Sequence, residues 1–575
     1  MAATSQRRWM RSITRPLWGH FREVLVISLF VNLLALAAPV FTLQVYDRVV
    51  FYSGLTTLQG LTIGMVVVLA FDFVLRQSRA RLLQRVALRI DVEVGRRLFN
   101  KLLAVPLRTL ESRPAAFWQS LFRDLEIIRN AYSGASAVLV ADLPFAVLFL
   151  VMVYVLAEPI AWVFPLVLFC FAALAWRSGS AVDDATQVER EAAMARDLLM
   201  TELIMGRATV KALALSDSMC AQWESRHAET IRQSLRRGVK TDAYVNLGIS
   251  LTVLTTVILT AVGALAIVEQ KLTMGALIAT NMLSARILSS FNQLFMSWRG
   301  FVMCRQAMAK LGEVFAMAED RARSEVRLER PQGEITLDNV RFHYGDEQKP
   351  VIDGIKLQIK PNGLHAFVGK NGSGKTTLLK LIQGLYQPSS GRVLLDGADI
   401  AQFSREDLAR WIGYVPQDGI LFSGTIRDNI AKGKPGATDE EIVVAARMAG
   451  AHAFVIDLPD GYAAQIGEGG GRLSGGQRQR LAIARALVGD PAVLLFDEPS
   501  NNLDRQVEEE LRASLVTLAR NHTVILVTHS TALLPACNNV IVVEAGRVSM
   551  AGPTEDVLAR IAQNRPTPLA VARNA

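Results

Sequence analysis

A run of about twenty apolar residues constrains a chain more than any other local pattern. Water will not tolerate it exposed, and as a helix it matches the roughly 30 Å hydrocarbon core of a bilayer. This sequence carries six such runs, all before residue 300: 24–43, 58–75, 135–156, 160–176, 245–268 and 276–298. Asp72 interrupts the second, Asp142 and Pro144 lie in the third, and Arg286 lies in the last. Charged residues return in force after residue 305, so the chain reads as a membrane part followed by a soluble part.

The formal net charge is +9. A basic balance suits nucleic acid, but here the Lys and Arg flank the apolar runs, as cytoplasmic loops do. Nucleic acid is therefore not an expected partner; the lipid bilayer is. The N-terminal tail holds Arg7, Arg8, Arg11, Arg15 and Arg22, and segments 76–129 and 177–240 are Arg-rich, whereas the alternate connections hold only Arg48 and Lys271. The basic segments and both termini are predicted to face the cytosol, the two long segments as helical extensions of the spans with a turn at each tip. The Arg-rich start followed by Ala35-Leu36-Ala37 has the look of a cleavable signal. The run stays apolar to Leu43, longer than a signal's core, so it is expected to be retained as a span. The four cysteines, Cys170, Cys220, Cys304 and Cys537, have no paired spacing and imply neither disulfides nor a metal site.

From Glu334 onward short β-branched runs alternate with helical stretches, which predicts an α/β domain on a largely parallel sheet. The expected organisation is a tail at 1–23, a transmembrane domain at 24–311, a linker at 312–333, a nucleotide-binding domain at 334–560 and a frayed tail at 561–575. The fold class is thus a membrane all-α domain of six transmembrane helices plus an α/β P-loop NTPase domain.

The chemistry sits in that second domain. Gly369, Lys370, Asn371, Gly372, Ser373, Gly374, Lys375 and Thr376 match a phosphate-binding loop, between a predicted strand at 364–368 and a helix that includes Thr377. Backbone N–H groups would close around the phosphates of ATP. Lys375 would supply a point charge, and the Thr376 hydroxyl a ligand for Mg²⁺. An apolar strand ends in Asp497 and Glu498, placed to hold Mg²⁺ and to polarise an attacking water. Leu473, Ser474, Gly475, Gly476 and Gln477 form a second Gly-rich turn opening a helix, another anion site. One domain needs only one phosphate cradle, so the second implies a site shared between two molecules.

With these residues in order, 334–560 resembles the nucleotide-binding domain of ABC transporters. The resemblance implies the family's helical subdomain. It makes 473–477 the signature motif acting on the partner's ATP, Tyr344 the aromatic on adenine and Gln417 a sensor of Mg²⁺ and the membrane domain. It makes 500–504 the D-loop, with Asp504, and His529 the switch histidine. The membrane half, with the exporter fold implied, is similar to the bacterial type I secretion branch in Val45-Tyr46-Asp47-Arg48-Val49, Arg123-Asp124-Leu125-Glu126-Ile127-Ile128-Arg129 and Thr209-Val210-Lys211-Ala212-Leu213, and Gly467-Glu468-Gly469-Gly470 in the second domain fits as well. Ala115-Ala116 stands where that family often has Gly. About two dozen residues precede the first span, too few for the peptidase domain common in the family, so leader processing is not expected.

The resemblance implies a homodimer in the inner membrane, alternating access driven by two shared ATP sites, and a secreted polypeptide as cargo. A periplasmic adaptor and an outer-membrane channel are the further partners. A lipid or drug exporter is the alternative; a scaffold that does not cycle would not need Glu498 and His529. Asp142 and Arg286, costly inside spans, are either a structural pair between helices or a polar lining of the path.

Overall fold

The computed structural model describes residues 2–50, 52–320, 329–345, 349–501, 503 and 505–563. They divide into two compact units. One comprises Met1–Leu103 and Arg113–Met317, the other Ala104–Ser112 and Ala318–Ala575.

The first unit is helical. Its first apolar run is not one rod: α1 (Ala2–Leu34) ends at a break and α2 (Ala37–Gln44) follows, leading into a π-helix at Val45–Val50. Pro39 accounts for the break, because it lacks an N–H and its ring crowds the carbonyl four residues back. After α3 (Leu55–Ala104) the chain passes through α4 (Leu107–Glu111), which belongs to the second unit, and returns in α5 (Ala115–Ser133). The third apolar run is again divided. Pro144 sits in a 3₁₀ turn at Leu143–Phe145 between α6 (Ala135–Asp142) and α7 (Ala146–Leu156). Then come α8 (Val163–Met205), the short α9 (Arg207–Ala212), α10 (Ser216–Val268) and α11 (Met274–Ala316).

Among the described residues, five helical stretches are long and apolar enough to cross a membrane: Trp18–Val50, Leu55–Ala104, Ala135–Leu156, Val163–Met205 and Ser216–Val268. The sixth expected span falls on α11, which is long enough but less apolar. The reason is its setting: α11 packs on α10, α5, α2, α1 and α8 and buries one face from Gly275 to Val314. It joins α10 through Asn281 Nδ2 to Thr260 Oγ1 (3.2 Å) and Asn292 Nδ2 to Thr252 Oγ1 (3.0 Å). Helix association in lipid rests on such hydrogen bonds and close packing.

Two motifs of the membrane half are structural ties. Asp47, on the π-helix, accepts from Thr273 Oγ1 (2.7 Å) and the Gly275 amide (2.9 Å), holding the start of α11 where a carboxylate suits the helix dipole. A Cβ at Gly275 would lie 2.6 Å from Asp47 Oδ1 and 2.7 Å from the Leu43 carbonyl. Asp124, 2 % exposed, meets Lys310 Nζ at 3.1 Å and the Arg190 guanidinium, so that one carboxylate joins α5, α8 and α11.

The second unit has two sheets rather than the one that strand alternation predicts. Four antiparallel strands, β1 (Ile335–Phe342), β2 (Ile352–Ile359), β4 (Ser390–Leu395) and β5 (Ala398–Asp399), run in the order β2-β1-β4-β5. The other strands are β3 (Gly363–Val368), β6 (Ile412–Val415), β7 (Val493–Asp497), β8 (Thr523–Val527), β9 (Asn539–Glu544) and β10 (Arg547–Pro553). They form a six-stranded sheet in the order β10-β9-β3-β8-β7-β6, parallel except for β10. Strands β7 and β8 are buried at every position, as a sheet covered on both faces requires. Helices α12 (Lys375–Ile382) and α13 (Arg405–Trp411) precede β6. Between β6 and β7 lies a helical cluster: α14 (Ile426–Ala431), α15 (Asp439–Met448), α16 (His452–Ile456) and α17 (Gly475–Leu487). Helices α18 (Arg505–Leu518) and α19 (Thr554–Gln563) complete the unit.

Candidate functional site

The site forms at the carboxyl ends of the parallel strands, where an open α/β sheet leaves a crevice. From β3 the chain turns through residues 369–374 into α12. Gly369 takes a φ of +153°, and a Cβ there would sit 2.1 Å from the Val543 carbonyl oxygen, so the loop can close only with glycine. Lys375 is 6 % exposed, and its Nζ donates to the carbonyls of Gly369 (2.9 Å) and Lys370 (3.0 Å). Burial pulls its pKa down; the carboxylates of Glu498 and Asp497 act in the opposite direction.

From β7 come the two acids. Asp497 is 1 % exposed. Its Oδ1 accepts from Thr376 Oγ1 at 3.2 Å, while Oδ2 is buried without a hydrogen-bond partner. Burial, reinforced by Glu498, holds its carboxyl above the ordinary range. An orphaned carboxylate oxygen beside a hydroxyl is a hard-oxygen donor set of the kind Mg²⁺ takes, two protein ligands with the remainder left to phosphates and water. Among the described residues no group of three or more His, Cys, Asp and Glu could hold a metal without such help.

Glu498 follows in left-handed backbone, φ +49°, pinned by its amide to the Val527 carbonyl (2.9 Å). Three side chains surround its carboxylate: Gln417 Nε2 at 3.3 Å, His529 Nε2 at 3.9 Å and the Asn501 amide. A non-glycine residue in this conformation costs free energy and marks a constrained position. Asn501 lies in the 500–504 run but was not singled out from sequence, since its role depends on a turn that returns it to Glu498. Asp504 lies outside the described residues.

Tyr344, Val351, Asn371, Gly372, Gly374, Lys375, Thr376, Thr377, Gln417 and Glu498 line a cavity of about 450 Å³. Tyr344 hydrogen-bonds Thr377 through its hydroxyl (3.0 Å) and meets Phe342 and Tyr386 edge-on. Leu473, Ser474, Gly475, Gly476 and Gln477 do not line this cavity. They form the start of α17, where Ser474 and Gln477 cap each other's backbone N–H groups (3.2 and 2.9 Å). Helix α4 packs beside the aromatic group Phe342, Tyr344 and Tyr386. Arg108 lies 5.5 Å over the Phe342 ring, and Glu111 accepts from Lys380 Nζ (3.0 Å) and from the Tyr386 hydroxyl. The sequence predicted a turn at this tip but not these partners, which are more than 230 residues away in the chain.

In the membrane unit, Asp142 and Arg286 do not form a pair. Asp142 Oδ1 accepts from Arg79 (2.6 Å) and Asn32 (3.0 Å), and Arg79 also reaches the Ser28 hydroxyl (3.0 Å). Asp142 is therefore a structural tie among α1, α3 and α6. Arg79 lies past the second apolar run, where an arginine reads as an ordinary interfacial charge, so sequence spacing alone did not flag it.

A P-loop cleft in an α/β domain, joined to a bundle of membrane-length helices, defines a membrane-bound nucleotide-hydrolysing machine. Comparison narrows the class. The model of the ABC transporter transmembrane region matches residues 21–291 and that of the ABC transporter matches residues 352–501. The leukotoxin translocation ATP-binding protein LktB of Pasteurella haemolytica-like sp. (strain 5943B) is 33% identical over 541 residues, 94% of this chain and 76% of the relative. The alpha-hemolysin translocation ATP-binding protein HlyB of Escherichia coli is 33% identical over 542 residues, with the same coverage. A bacterial Atm1-family ABC exporter solved with ATP bound shares the fold, with a TM-score of 0.85 at 22% identity, covering 95% of this chain and 99% of that one. The chain belongs to the ABC exporters with fused transmembrane and ATP-binding domains, multi-pass membrane proteins that couple ATP hydrolysis to export.

Proposed function

We propose that this exporter works as a homodimer in a bacterial inner membrane, moving an unfolded polypeptide outward through a path lined by six spans per subunit, α11 supplying the sixth. The ATPase unit and both termini lie on the Lys/Arg-rich, cytoplasmic side. A periplasmic adaptor and an outer-membrane channel carry the cargo onward. The polypeptide cargo rests on the likeness to the leukotoxin and hemolysin translocators over 94% of the chain.

The observation that carries the mechanism is the division of the two Gly-rich turns: 369–376 lines the cavity and 473–477 does not. The signature turn of one subunit then closes on ATP held by the other, so that nucleotide joins two copies. Tyr344 stacks on adenine, and residues 369–377 hold the phosphates through backbone amides. Lys375 exchanges its two loop carbonyls for phosphate oxygens. Thr376 and Asp497 would hold Mg²⁺, aided by Gln417; the ion would neutralise phosphate charge. Glu498 orients the water, and His529, across from it, steadies the γ-phosphate. Hydrolysis removes the shared ligand, the copies part, and α4 passes that motion on.

Glu498→Gln keeps the cavity and removes the base. It should bind ATP as tightly as wild type while turnover falls by about 10²–10⁴-fold, the usual worth of a positioned general base. Purified protein in nanodiscs, assayed for nucleotide binding and phosphate release, checks this. Turnover near wild type would overturn the assignment.

A further inference from the structure

The exposed faces of the membrane helices are not alike. On α3 the exposed side chains at membrane depth include Ile63, Val66, Val67, Leu69 and Phe71, and on α10 Ile249, Val253, Leu254 and Val257. The exposed threonines among them, Thr62, Thr256 and Thr260, are neutral and return their hydroxyls to the helix carbonyl four residues back, so neither face carries a charge. On α11 the exposed positions are Met282, Ala285, Arg286, Ser289, Gln293 and Met296, a single stripe at helical spacing with a polar centre. The opposite face, including Leu283, Ile287, Leu288 and Phe295, is buried in the bundle. A stripe of Arg, Ser and Gln within an apolar span is too costly to turn toward hydrocarbon and belongs against water.

The charges around Arg286 are unbalanced. Asp72, Arg76, Arg79 and Asp142 are the groups that act on it electrostatically. Asp142 is taken by Arg79 (2.6 Å) and Asp72 by Arg76 (2.6 Å). Three guanidiniums thus stand against two carboxylates. Arg286, among the described residues, has no ion-pair or hydrogen-bond partner for its side chain. Ser289 Oγ donates to the Arg286 carbonyl (2.9 Å), leaving its lone pairs toward the stripe, and the Gln293 amide has no partner among the described residues.

We infer that this face of α11 lines the translocation path and that Arg286, flanked by Ser289 and Gln293, binds carboxylates of the passing polypeptide, so that acidic segments are preferred cargo. The inference rests on the polypeptide reading above. A guanidinium takes a carboxylate bidentately, while the Gln293 amide N–H beside it can donate without adding charge.

The test uses the full-length protein in proteoliposomes and three unstructured Gly/Ser polypeptides of equal length carrying scattered Glu, Gln or Lys. Wild type should transport the Glu peptide over the Lys peptide by roughly tenfold, the value of one charge-assisted contact. Arg286→Lys should keep the order, Arg286→Gln should flatten it and Arg286→Glu should reverse it. Because each comparison is a ratio within one preparation, a lower yield of folded variant does not alter it. A benzoylphenylalanine at position 289 should cross-link to the Glu peptide under light. Transport of all three peptides in ratios that Arg286→Glu leaves unchanged overturns the role of Arg286, with the polypeptide reading intact. Cross-linking of position 289 only to the second copy of the chain overturns the path lining. Transport of none of the three overturns the polypeptide reading and the inference with it.

Discussion

At the scale of single residues, burial and partners decide what a side chain does. His365 is buried in β3, its Nε2 on the Asn362 carbonyl (3.1 Å) and its Nδ1 beside the Asn539 amide (3.3 Å). A carbonyl only accepts, so Nε2 carries the proton and the ring is neutral and satisfied. Burial pulls its pKa down; the Asn362 contact resists weakly. The unfolded chain then takes up a proton near pH 6.5 that the folded chain refuses. Stability from this residue is therefore full above that pH and declines as pH falls below it. Thermal melts of the detergent-solubilised protein at pH 7.5 and 5.5 should show the loss, and His365→Gln should remove part of it; an identical acid shift in the variant would assign the effect elsewhere. Tyr344 tests differently. Tyr344→Ala should raise the KM for ATP several-fold, since an aromatic stack contributes about 0.5–1.5 kcal/mol, while Tyr344→Phe keeps the ring and loses only the Thr377 contact. Equal KM values for all three proteins would place adenine away from this ring.

At the scale of elements, the helix extensions beyond the apolar runs hold together through few buried charges. Asp124 joins α5, α8 and α11 through Arg190 and Lys310. Burial pulls the pKa of Lys310 down, and the Asp124 carboxylate resists that shift. Removing one partner of such a set leaves buried charge uncompensated, at a cost of about 3–5 kcal/mol. Asp124→Ala should lower the thermal midpoint markedly, and Lys310→Met in the same chain should recover part of the loss, because the stranded cation is gone. A double variant that melts lower than the single one would contradict this account.

At the scale of the molecule, the two Gly-rich turns predict how copies meet. Cysteines placed at Ser373 and Ser474 should cross-link two chains when ATP is present with Glu498→Gln, giving a covalent dimer on a denaturing gel. A bond formed only within one chain would refute the shared site.

Much was legible without coordinates. Apolar run length marked the membrane helices, because a bilayer accepts nothing shorter or more polar on a lipid-facing surface. The two Gly-rich turns and the acids that close β7 were readable as patterns because each is a run of a few consecutive residues, glycines that open a helix or carboxylates that end an apolar strand. Tertiary structure decided what consecutive residues cannot encode. It broke the first and third runs at Pro39 and Pro144 and made α11 a helix with a buried face and a polar stripe. It separated Asp142 from Arg286 by giving Asp142 to Arg79 and Asn32. It placed Asn501, Gln417 and His529 around Glu498, and Glu111 on Tyr386 across 275 residues of chain. The physical reason is one of range. Periodicity and glycine spacing report on the next turn of backbone, whereas the partner of a buried charge is set by which elements pack together.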